Sequence, residues 1–287
     1  MKTTLIAHSP DADDIFMYYA IKFGWVTMKD VKFDNIAKDI QTLNEDALNG
    51  LYDIVAISFA LYPHIKEEYA PLRTAVSFGE GYGPKLIKRK GEKLKRNFKV
   101  ALSGEHTTNA MLFRIAYPDA RITYMNFLEI EQAVIDGTVH AGVLIHESIL
   151  TYADALEVER EIWDIWQELA GDDLPLPLGG MAIRRSLPLN KAIEYEATLT
   201  KAVQVARDHK ERLSKMLLER KLVRIDAPTL DKYLELYAND ASITLSPIQY
   251  KAIDKLFELG YKHGFYDTPV KIEEYLIPTE YKELRNA

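Results

Sequence analysis

The alternation of short apolar segments with helical patterns limits the fold of this chain more than any other feature. In the first part of the chain, these patterns predict strands at residues 4–7, 31–37 and 54–57 and helices at 14–23 and 40–48. Strands that alternate with helices favour a parallel sheet with helices on both faces. The sequence therefore predicts an α/β fold.

The same alternation stops and then restarts in the middle of the chain. A basic, polar stretch between residues 85 and 99 precedes a second series of elements, with strands at 99–102, 121–125 and 141–145 and helices at 107–117 and 128–135. No aromatic residue interleaves the basic stretch, so we interpret it as a solvated connector rather than a nucleic-acid patch. A Pro- and Gly-rich passage around residues 172–180 and a short strand at 181–183 end this series.

From residue 189 onward every pattern is helical, with helices predicted at 192–209, 211–219, 229–237 and 246–259. A helical tail without strands has no sheet of its own to cover, so we expect it to pack on the first sheet. The sequence thus predicts a first lobe made of residues 1–96 and 180–287 and an inserted second lobe of residues 97–179. Two lobes joined in this way enclose a cleft that closes by hinge motion around a small ligand.

Composition excludes several classes of function. The 287 residues suit two domains, and 36 Lys and Arg against 43 Asp and Glu give a net charge of −7. This charge argues against nucleic acid or an anionic membrane as the main partner, because both attract basic patches. The absence of cysteine excludes disulfides, thiolate metal sites and a cysteine nucleophile.

Hydropathy gives an expectation about location. No apolar run approaches the ~20 residues that a membrane span needs. The first apolar stretch is too short for the core of a signal peptide. We therefore expect a cytoplasmic protein.

Four polar clusters directly follow predicted strands. They are residues 8–11, Ser58, residues 104–109, and His146 with Glu147. Ligands of open α/β sheets bind at the carboxyl ends of strands, so these clusters are candidate ligand contacts.

The turn that opens at Gly104 leads into a predicted helix and carries Thr107 and Thr108 at its start. Backbone N–H groups there, together with the two hydroxyls, would hold a carboxylate or phosphate oxygen. An ordinary threonine N-cap explains the same residues and stays an open alternative.

His146 ends an apolar strand and is a candidate general base, because a neutral imidazole suits proton abstraction near neutral pH. A hydrogen-bonded structural histidine is the alternative. Glu147, the next residue, is expected to favour a helix N-terminus rather than to orient the histidine.

Asp11, Asp13 and Asp14 could suggest a metal site, but they lack EF-hand spacing and a distant acidic partner. We interpret them as caps of the first helix. No metal site is predicted.

Three motifs resemble the 1,4-dihydroxy-6-naphthoate synthase family, which acts in the futalosine route to menaquinone. They are Ser9-Pro10-Asp11-Ala12-Asp13-Asp14-Ile15-Phe16, Thr107-Thr108 and Gly142-Val143-Leu144-Ile145-His146-Glu147. The resemblance implies a two-lobed, periplasmic-binding-protein-like (type II) fold with a ligand cleft between the lobes. It also implies a cytoplasmic lyase that converts cyclic dehypoxanthine futalosine to 1,4-dihydroxy-6-naphthoate without a cofactor.

The resemblance also implies roles for particular residues. His146 would be the catalytic base. Contacts to a small, carboxylate-bearing substrate would come from Ala56, Ile57, Ser58, Thr107, Thr108, Ser9 and Asp14. The chain departs from the family at Asp11-Ala12-Asp13, where members have Cys-Pro-Asn.

Two other functions remain open at this point. Chorismate dehydratase of the same pathway shares the fold but lacks a histidine after the equivalent strand, so His146 argues against it. A non-catalytic protein that binds a small molecule is the second alternative, although transport components normally carry a signal peptide or lipid anchor.

Overall fold

The computed structural model describes residues 2–171 and 173–281 and places the strands of this part of the chain in two β-sheets. In chain order the strands are β1 (Lys2–His8), β2 (Val31–Ala37), β3 (Ile54–Ser58), β4 (Tyr69–Pro71), β5 (Ser77–Gly79), β6 (Lys85–Arg89), β7 (Lys99–Leu102), β8 (Arg121–Tyr124), β9 (Ala141–Leu144), β10 (Leu156–Glu161) and β11 (Leu176–Arg184).

The first sheet has the strand order β2–β1–β3–β11–β4, and β5 pairs with β11 beside this path. β1 runs parallel to β2 and β3, whereas β11 runs antiparallel to β3, β4 and β5. The second sheet has the order β10–β6–β9–β7–β8. Its β7 runs parallel to β8 and β9, and β6 runs antiparallel to β9 and β10. Each sheet therefore has the predicted parallel core, and antiparallel strands extend it.

The α-helices cover these sheets. They are α1 (Ala12–Lys22), α2 (Ile40–Leu48), α3 (Tyr62–Ile65), α4 (Thr108–Ala116), α5 (Phe127–Ile135), α6 (Ile162–Ala170), α7 (Leu189–Asp208), α8 (Lys210–Glu219), α9 (Ala227–Tyr237) and α10 (Pro247–Lys262). Short 3₁₀ helices follow β3 and β9, at Phe59–Leu61 and His146–Ile149. The second replaces the α-helix expected after His146.

Local sequence explains where several helices begin and end. The carboxylate of Asp39 accepts a hydrogen bond from the Thr42 amide at 3.1 Å and so caps α2. Gly50, just beyond the end of α2, has a φ of +63°, a conformation that glycine adopts without strain. α2 therefore runs over the predicted residues.

The helical tail packs on the first sheet, as expected. α7 and α9 lie against α1, α9 also contacts β5, and α10 contacts β11. The large aromatic side chains of Tyr195 and Tyr233 are fully buried there. Removing this apolar area from water stabilises the packing of the tail.

The predicted connector is wrong in its first part, because Lys85–Arg89 forms β6. Lys88 of this strand lies opposite acidic residues of β10, 3.5 Å from Glu157 and 2.5 Å from Glu159. Opposite charges on facing strands favour pairing. The basic strand β6 therefore pairs with the acidic strand β10, and the apolar pattern of the sequence predicted neither strand.

The predicted loop at 172–180 is also wrong in part, because β11 begins at Leu176. Gly179 lets the backbone of β11 approach β3 closely, because a Cβ at this position would lie 2.7 Å from the Ile57 carbonyl oxygen. Gly inside a strand often marks such an approach of two backbones.

The limits predicted for the lobes stay a prediction. Because β6 belongs to the second sheet and β11 to the first, we propose that the chain crosses between lobes after β5 and again after α6. Among the described residues, no helix combines the length and the apolar character that a membrane crossing requires.

Candidate active site

A cavity lies between the two sheets, where β1 and β3 of the first face β7 and β9 of the second. Clefts between two parts of a fold are frequent sites of small ligands. Every residue predicted for the site lines it: Ser9, Asp14, Ala56, Ile57, Ser58, Thr107, Thr108 and His146. The structure thus brings the predicted residues together, while their roles stay predictions.

His146 enters this cavity from the end of β9 in an unusual backbone conformation. Its φ is +55°, in the left-handed region that residues other than glycine seldom adopt. Such a conformation costs about 1–3 kcal/mol and persists where neighbouring contacts fix it, often at functional sites. The ring packs edge-on against Phe127, with centroids 4.9 Å apart.

The two ring nitrogens of His146 have different surroundings. Nδ1 lies 2.6 Å from Oδ2 of Asp11. Nε2 is buried and has no hydrogen-bond partner among residues 2–171 and 173–281. With Nδ1–H donating to Asp11, the neutral ring carries its lone pair on Nε2, which suits a general base.

Charge determines when that ring is neutral. Burial disfavours the imidazolium, but the carboxylate of Asp11, with smaller contributions from Glu147 and Asp14, raises the pKa of His146 above its ordinary 6.5. Burial alone would raise the pKa of Asp11, but the charge of the adjacent imidazole and the hydrogen bonds to this carboxylate together lower the pKa below its ordinary value. The pair is therefore an ion pair at low pH and a neutral imidazole beside a carboxylate at higher pH.

The interpretation of the first three aspartates as helix caps is wrong. Asp11 is at the N-cap position of α1, but its side chain makes no capping bond and turns to His146. Asp14 accepts instead from the Ser9 amide at 2.7 Å. Oε1 of Glu147 accepts from the Ala12 amide at 3.0 Å. Glu147, which follows β9 of the second sheet, thus supplies a hydrogen-bond partner for a backbone N–H group in the first turn of α1.

Burial among like charges favours the neutral form of two of these carboxyls and raises their pKa values. Burial, together with the charge of Asp11, raises the pKa of Asp14 to about 7. The same causes raise the pKa of Asp13 well above its ordinary value. The Tyr233 hydroxyl donates to Oδ1 of Asp13 at 3.3 Å. Within the described part of the chain, no three His, Cys, Asp or Glu side chains are arranged to hold a metal ion.

Two serine hydroxyls can serve as donors to a ligand. Asn44 fixes Ser58, because its amide nitrogen donates to Ser58 Oγ at 3.1 Å and its oxygen accepts from the Ser58 amide at 3.0 Å. Ser58 Oγ is thus an acceptor toward Asn44 and keeps its own hydrogen for the cavity. Ser9 Oγ is buried without a partner among the described residues.

Both threonine hydroxyls at the start of α4 are already occupied. Thr107 caps the helix, accepting from the Ala110 amide at 3.3 Å and donating to the Gly104 carbonyl at 2.9 Å. Thr108 accepts from the Ala60 amide at 3.2 Å and donates to the Leu178 carbonyl at 3.0 Å. In this arrangement of the cleft, each hydroxyl hydrogen bonds to a backbone carbonyl, and the role of Thr107 and Thr108 in holding an anion stays a prediction. Backbone N–H groups of the first turn of α4 remain for that purpose.

The other histidines near the cleft have different surroundings. Both ring nitrogens of His8 have a hydrogen-bond partner: Nδ1 lies 2.7 Å from the Ser9 carbonyl oxygen and Nε2 lies 2.9 Å from the Asn35 amide nitrogen. His64 and His106 lie near each other, with centroids 6.0 Å apart, and line a separate cavity. None of the three lines the main cavity.

Several lining residues were not predicted from the sequence. Tyr233 and Tyr237 of α9 reach the cavity, although a helical tail gives no reason to expect ligand contacts. Their spacing of four residues, which places both on one helix face, could have drawn attention to them. Residues 178–180 of β11 also line the cavity, as does Asn109 of the predicted polar cluster at 104–109, which is 6% exposed.

Comparison with known sequences gives a consistent result. A family model described as menaquinone biosynthesis matches residues 4–262. A 1,4-dihydroxy-6-naphthoate synthase of Streptomyces coelicolor is 31% identical over 272 residues, which cover 91% of this chain and 94% of that protein. A second, of Thermus thermophilus, is 30% identical over 214 residues, covering 74% of this chain and 77% of that protein.

Solved structures confirm the implied fold. The crystal structure of a protein from Archaeoglobus fulgidus is similar with a TM-score of 0.85 and 32% identity, covering 92% of this chain and 98% of that one. The periplasmic aliphatic sulphonate binding protein of Escherichia coli matches with a TM-score of 0.64 at 12% identity, covering 99% of this chain and 94% of that one, a likeness of fold alone. By sequence and by fold, the chain belongs to the menaquinone biosynthesis family, the enzyme family of its 1,4-dihydroxy-6-naphthoate synthase relatives.

Proposed function

We propose that this protein is a 1,4-dihydroxy-6-naphthoate synthase that acts on cyclic dehypoxanthine futalosine, with His146 as its general base. The observation that carries the proposal is Nε2 of His146, which is buried at the cavity without a partner in the described chain while Nδ1 is held by Asp11. A general base needs such an unpartnered lone pair within reach of the substrate. The names of the relatives at about 30% identity support the same reaction.

The cavity walls suit the two ends of such a substrate. The first turn of the nine-residue helix α4 offers backbone N–H groups and a positive dipole end to a carboxylate. The opposite wall carries Asp13 and Asp14, whose raised pKa values let them exchange hydrogen bonds with the hydroxyls of a sugar-derived fragment. The substrate would then lie across the cleft between the two sheets.

The chemistry uses groups on both sheets. His146 removes a proton from the substrate, and the hydroxyl of Ser58 donates to the oxygen on which negative charge develops. Loss of the sugar-derived fragment leaves an aromatic ring, and its formation favours the products. We therefore expect the reaction to need no redox or metal cofactor. The closed cleft shields the charged intermediate from water.

Turnover of the proposed substrate tests this function. Purified protein incubated with cyclic dehypoxanthine futalosine should produce the absorbance of the naphthoate product, and chorismate under the same conditions should be unchanged. The variant His146→Asn should lose the activity. His140→Asn is the matched control, because the exposed His140 only accepts from the Lys99 amide, at 3.0 Å and outside the cavity.

Two results would contradict the proposal. Loss of water from chorismate would make the protein a dehydratase. Tight binding of the futalosine compound without turnover would make it a ligand-binding protein. A cytoplasmic location also stays a prediction and is checked by fractionation of the cells that produce the protein.

A further inference from the structure

Asp11 and His146 approach each other from different sheets. Asp11 follows β1 of the first sheet, His146 follows β9 of the second, and their side chains meet at 2.6 Å. The next residues of the two segments repeat this contact, because Glu147 accepts from the Ala12 amide at 3.0 Å. His146 and Glu147, which follow β9, thus bind the two consecutive residues Asp11 and Ala12, which follow β1.

We propose that Asp11 is the positioning residue of His146, turning Nε2 toward the cavity, and that it can do so only while the two sheets are held together. The inference rests on the proposed function, in which His146 is the base. The left-handed backbone at His146 supports it, since a strained residue needs fixed neighbours to keep its side chain in one direction. Asp11 itself is 4% exposed and supplies a rigid partner.

The surroundings of the ring single out Asp11. Charged or titratable groups reach the region of His146 from several segments: Asp11, Asp13, Asp14, Glu147, Arg224 and Tyr233. Burial and neighbouring charges raise the pKa of Asp13, and burial raises the pKa of Tyr233, which favours the neutral form of both. Glu147 is paired with Arg224 at 3.2 Å. Asp11, in direct contact with the ring at 2.6 Å, acts more strongly on the imidazole than Glu147 or Asp14.

A positioning role and a merely structural role differ in what the imidazole does when Asp11 is replaced. The variant Asp11→Asn keeps an oxygen that can accept from Nδ1–H but removes the charge. Burial is then opposed only by the smaller effects of Glu147 and Asp14, so the pKa of His146 should fall below its value in the wild type. A purely structural Asp11 would change the stability of the protein and leave the imidazole titration where it was.

The test is a pH titration of ¹⁵N-histidine-labelled protein by NMR, in which the signals of His146 are assigned by their loss in His146→Asn. The wild type should titrate above 6.5 with the proton on Nδ1 in the neutral form, and Asp11→Asn should titrate at lower pH. Asp254→Asn is the matched control. Asp254 accepts from the Ile272 amide at 2.9 Å, far from the cavity, so its loss alters stability but not the titration of His146.

Kinetics give an independent result. In Asp11→Asn, kcat should fall at least about tenfold with little change in KM, and the acidic limb of the pH profile should move to lower pH. If circular dichroism shows that Asp11→Asn does not fold, Asp11→Ser provides the same measurement with a smaller neutral side chain. An unchanged titration of His146 in the folded variant would overturn the inference. A shifted titration in a protein that does not turn over the futalosine compound would support the pair and contradict only the proposed function.

Discussion

The hydroxyl of Thr108 donates to the carbonyl of Leu178 at 3.0 Å, which joins the start of α4, after β7 of the second sheet, to β11 of the first. The same hydroxyl accepts from the amide of Ala60, which follows β3. Thr108 and Leu178 line the same cavity as His146, where the contacts of His146 and Glu147 reach the segment after β1. Hydrogen bonds thus connect the segments that follow strands of the two sheets at two places around the cavity.

Replacing Thr108 by valine should weaken this junction. The change leaves the buried Ala60 amide and the half-buried Leu178 carbonyl without their partner, and loss of the partner of a buried group typically costs about 1–3 kcal/mol of unfolding free energy. KM should also rise, because the cleft closes less well. Urea unfolding and steady-state kinetics measure the two effects. Thr108→Ser keeps the hydroxyl and should stay close to the wild type, and equal stability of the valine and serine variants would contradict the junction.

Ser58→Ala should lower kcat. The substitution removes the hydroxyl that Asn44 orients toward the cavity, and loss of one such donor to a developing oxyanion typically costs ~10²-fold. KM should change less, since the donor acts mainly in the transition state. Ser77→Ala, on the same cavity wall, is the control and should leave kcat nearly unchanged. An equal loss in both variants would mean that cavity shape, and not the Ser58 donor, sets the rate.

The unfolding free energy of Asp14→Asn, relative to that of the wild type, should increase as the pH rises. The pKa of Asp14 is about 7 in the folded protein against 3.8 for the ordinary side chain, because the carboxyl is buried and faces Asp11. A raised pKa contributes stability that is complete below 3.8 and is lost as the pH rises through about 7. The asparagine variant does not suffer this loss.

Unfolding in urea across the pH range measures the effect. The unfolding free energy of Asp14→Asn minus that of the wild type should increase from about pH 4 to pH 8 and then level off. The side-chain oxygen of asparagine can still accept from the Ser9 amide. The difference between the two unfolding free energies therefore reports the charge of the Asp14 carboxylate rather than the loss of this hydrogen bond. A difference that is constant with pH would contradict the raised pKa of Asp14.

Local apolar patterns were sufficient to predict much of the fold. α2, β2 and β7 run over the predicted residues. α2 buries Leu43 and Ala47 on one face, and β7 buries three of its four residues, whereas β2 is predicted by its alternation although it is only partly buried. β6 and β10 were missed because polar residues stabilise their pairing. Lys88 and Glu157 are polar residues whose place in a strand becomes evident only when the two strands are paired.

The candidate site could likewise be predicted only in part from the sequence. The rule that ligands bind at strand ends selected Ser9, Ser58, Thr107, Thr108 and His146, and the resemblance to the family added Asp14, Ala56 and Ile57; all eight line one cavity. The rule also selected the cluster that contains Asp11, but it could not show that Asp11 is the partner of His146. Asp11 stands at a helix start, where the sequence favours a cap, and it lies in the segment where the resemblance to the family fails. Only the meeting of the two sheets shows that its carboxylate faces the imidazole.

Loss of turnover in His146→Asn is the measurement on which the proposed function depends. Removal of a general base typically lowers kcat by ~10²–10⁴-fold, and KM should change little because binding uses other groups. In the wild type, kcat/KM should rise with pH along a limb above 6.5, since only the neutral imidazole accepts a proton and Asp11 raises its pKa. A folded His146→Asn variant with near-normal turnover of cyclic dehypoxanthine futalosine would show that the base lies elsewhere.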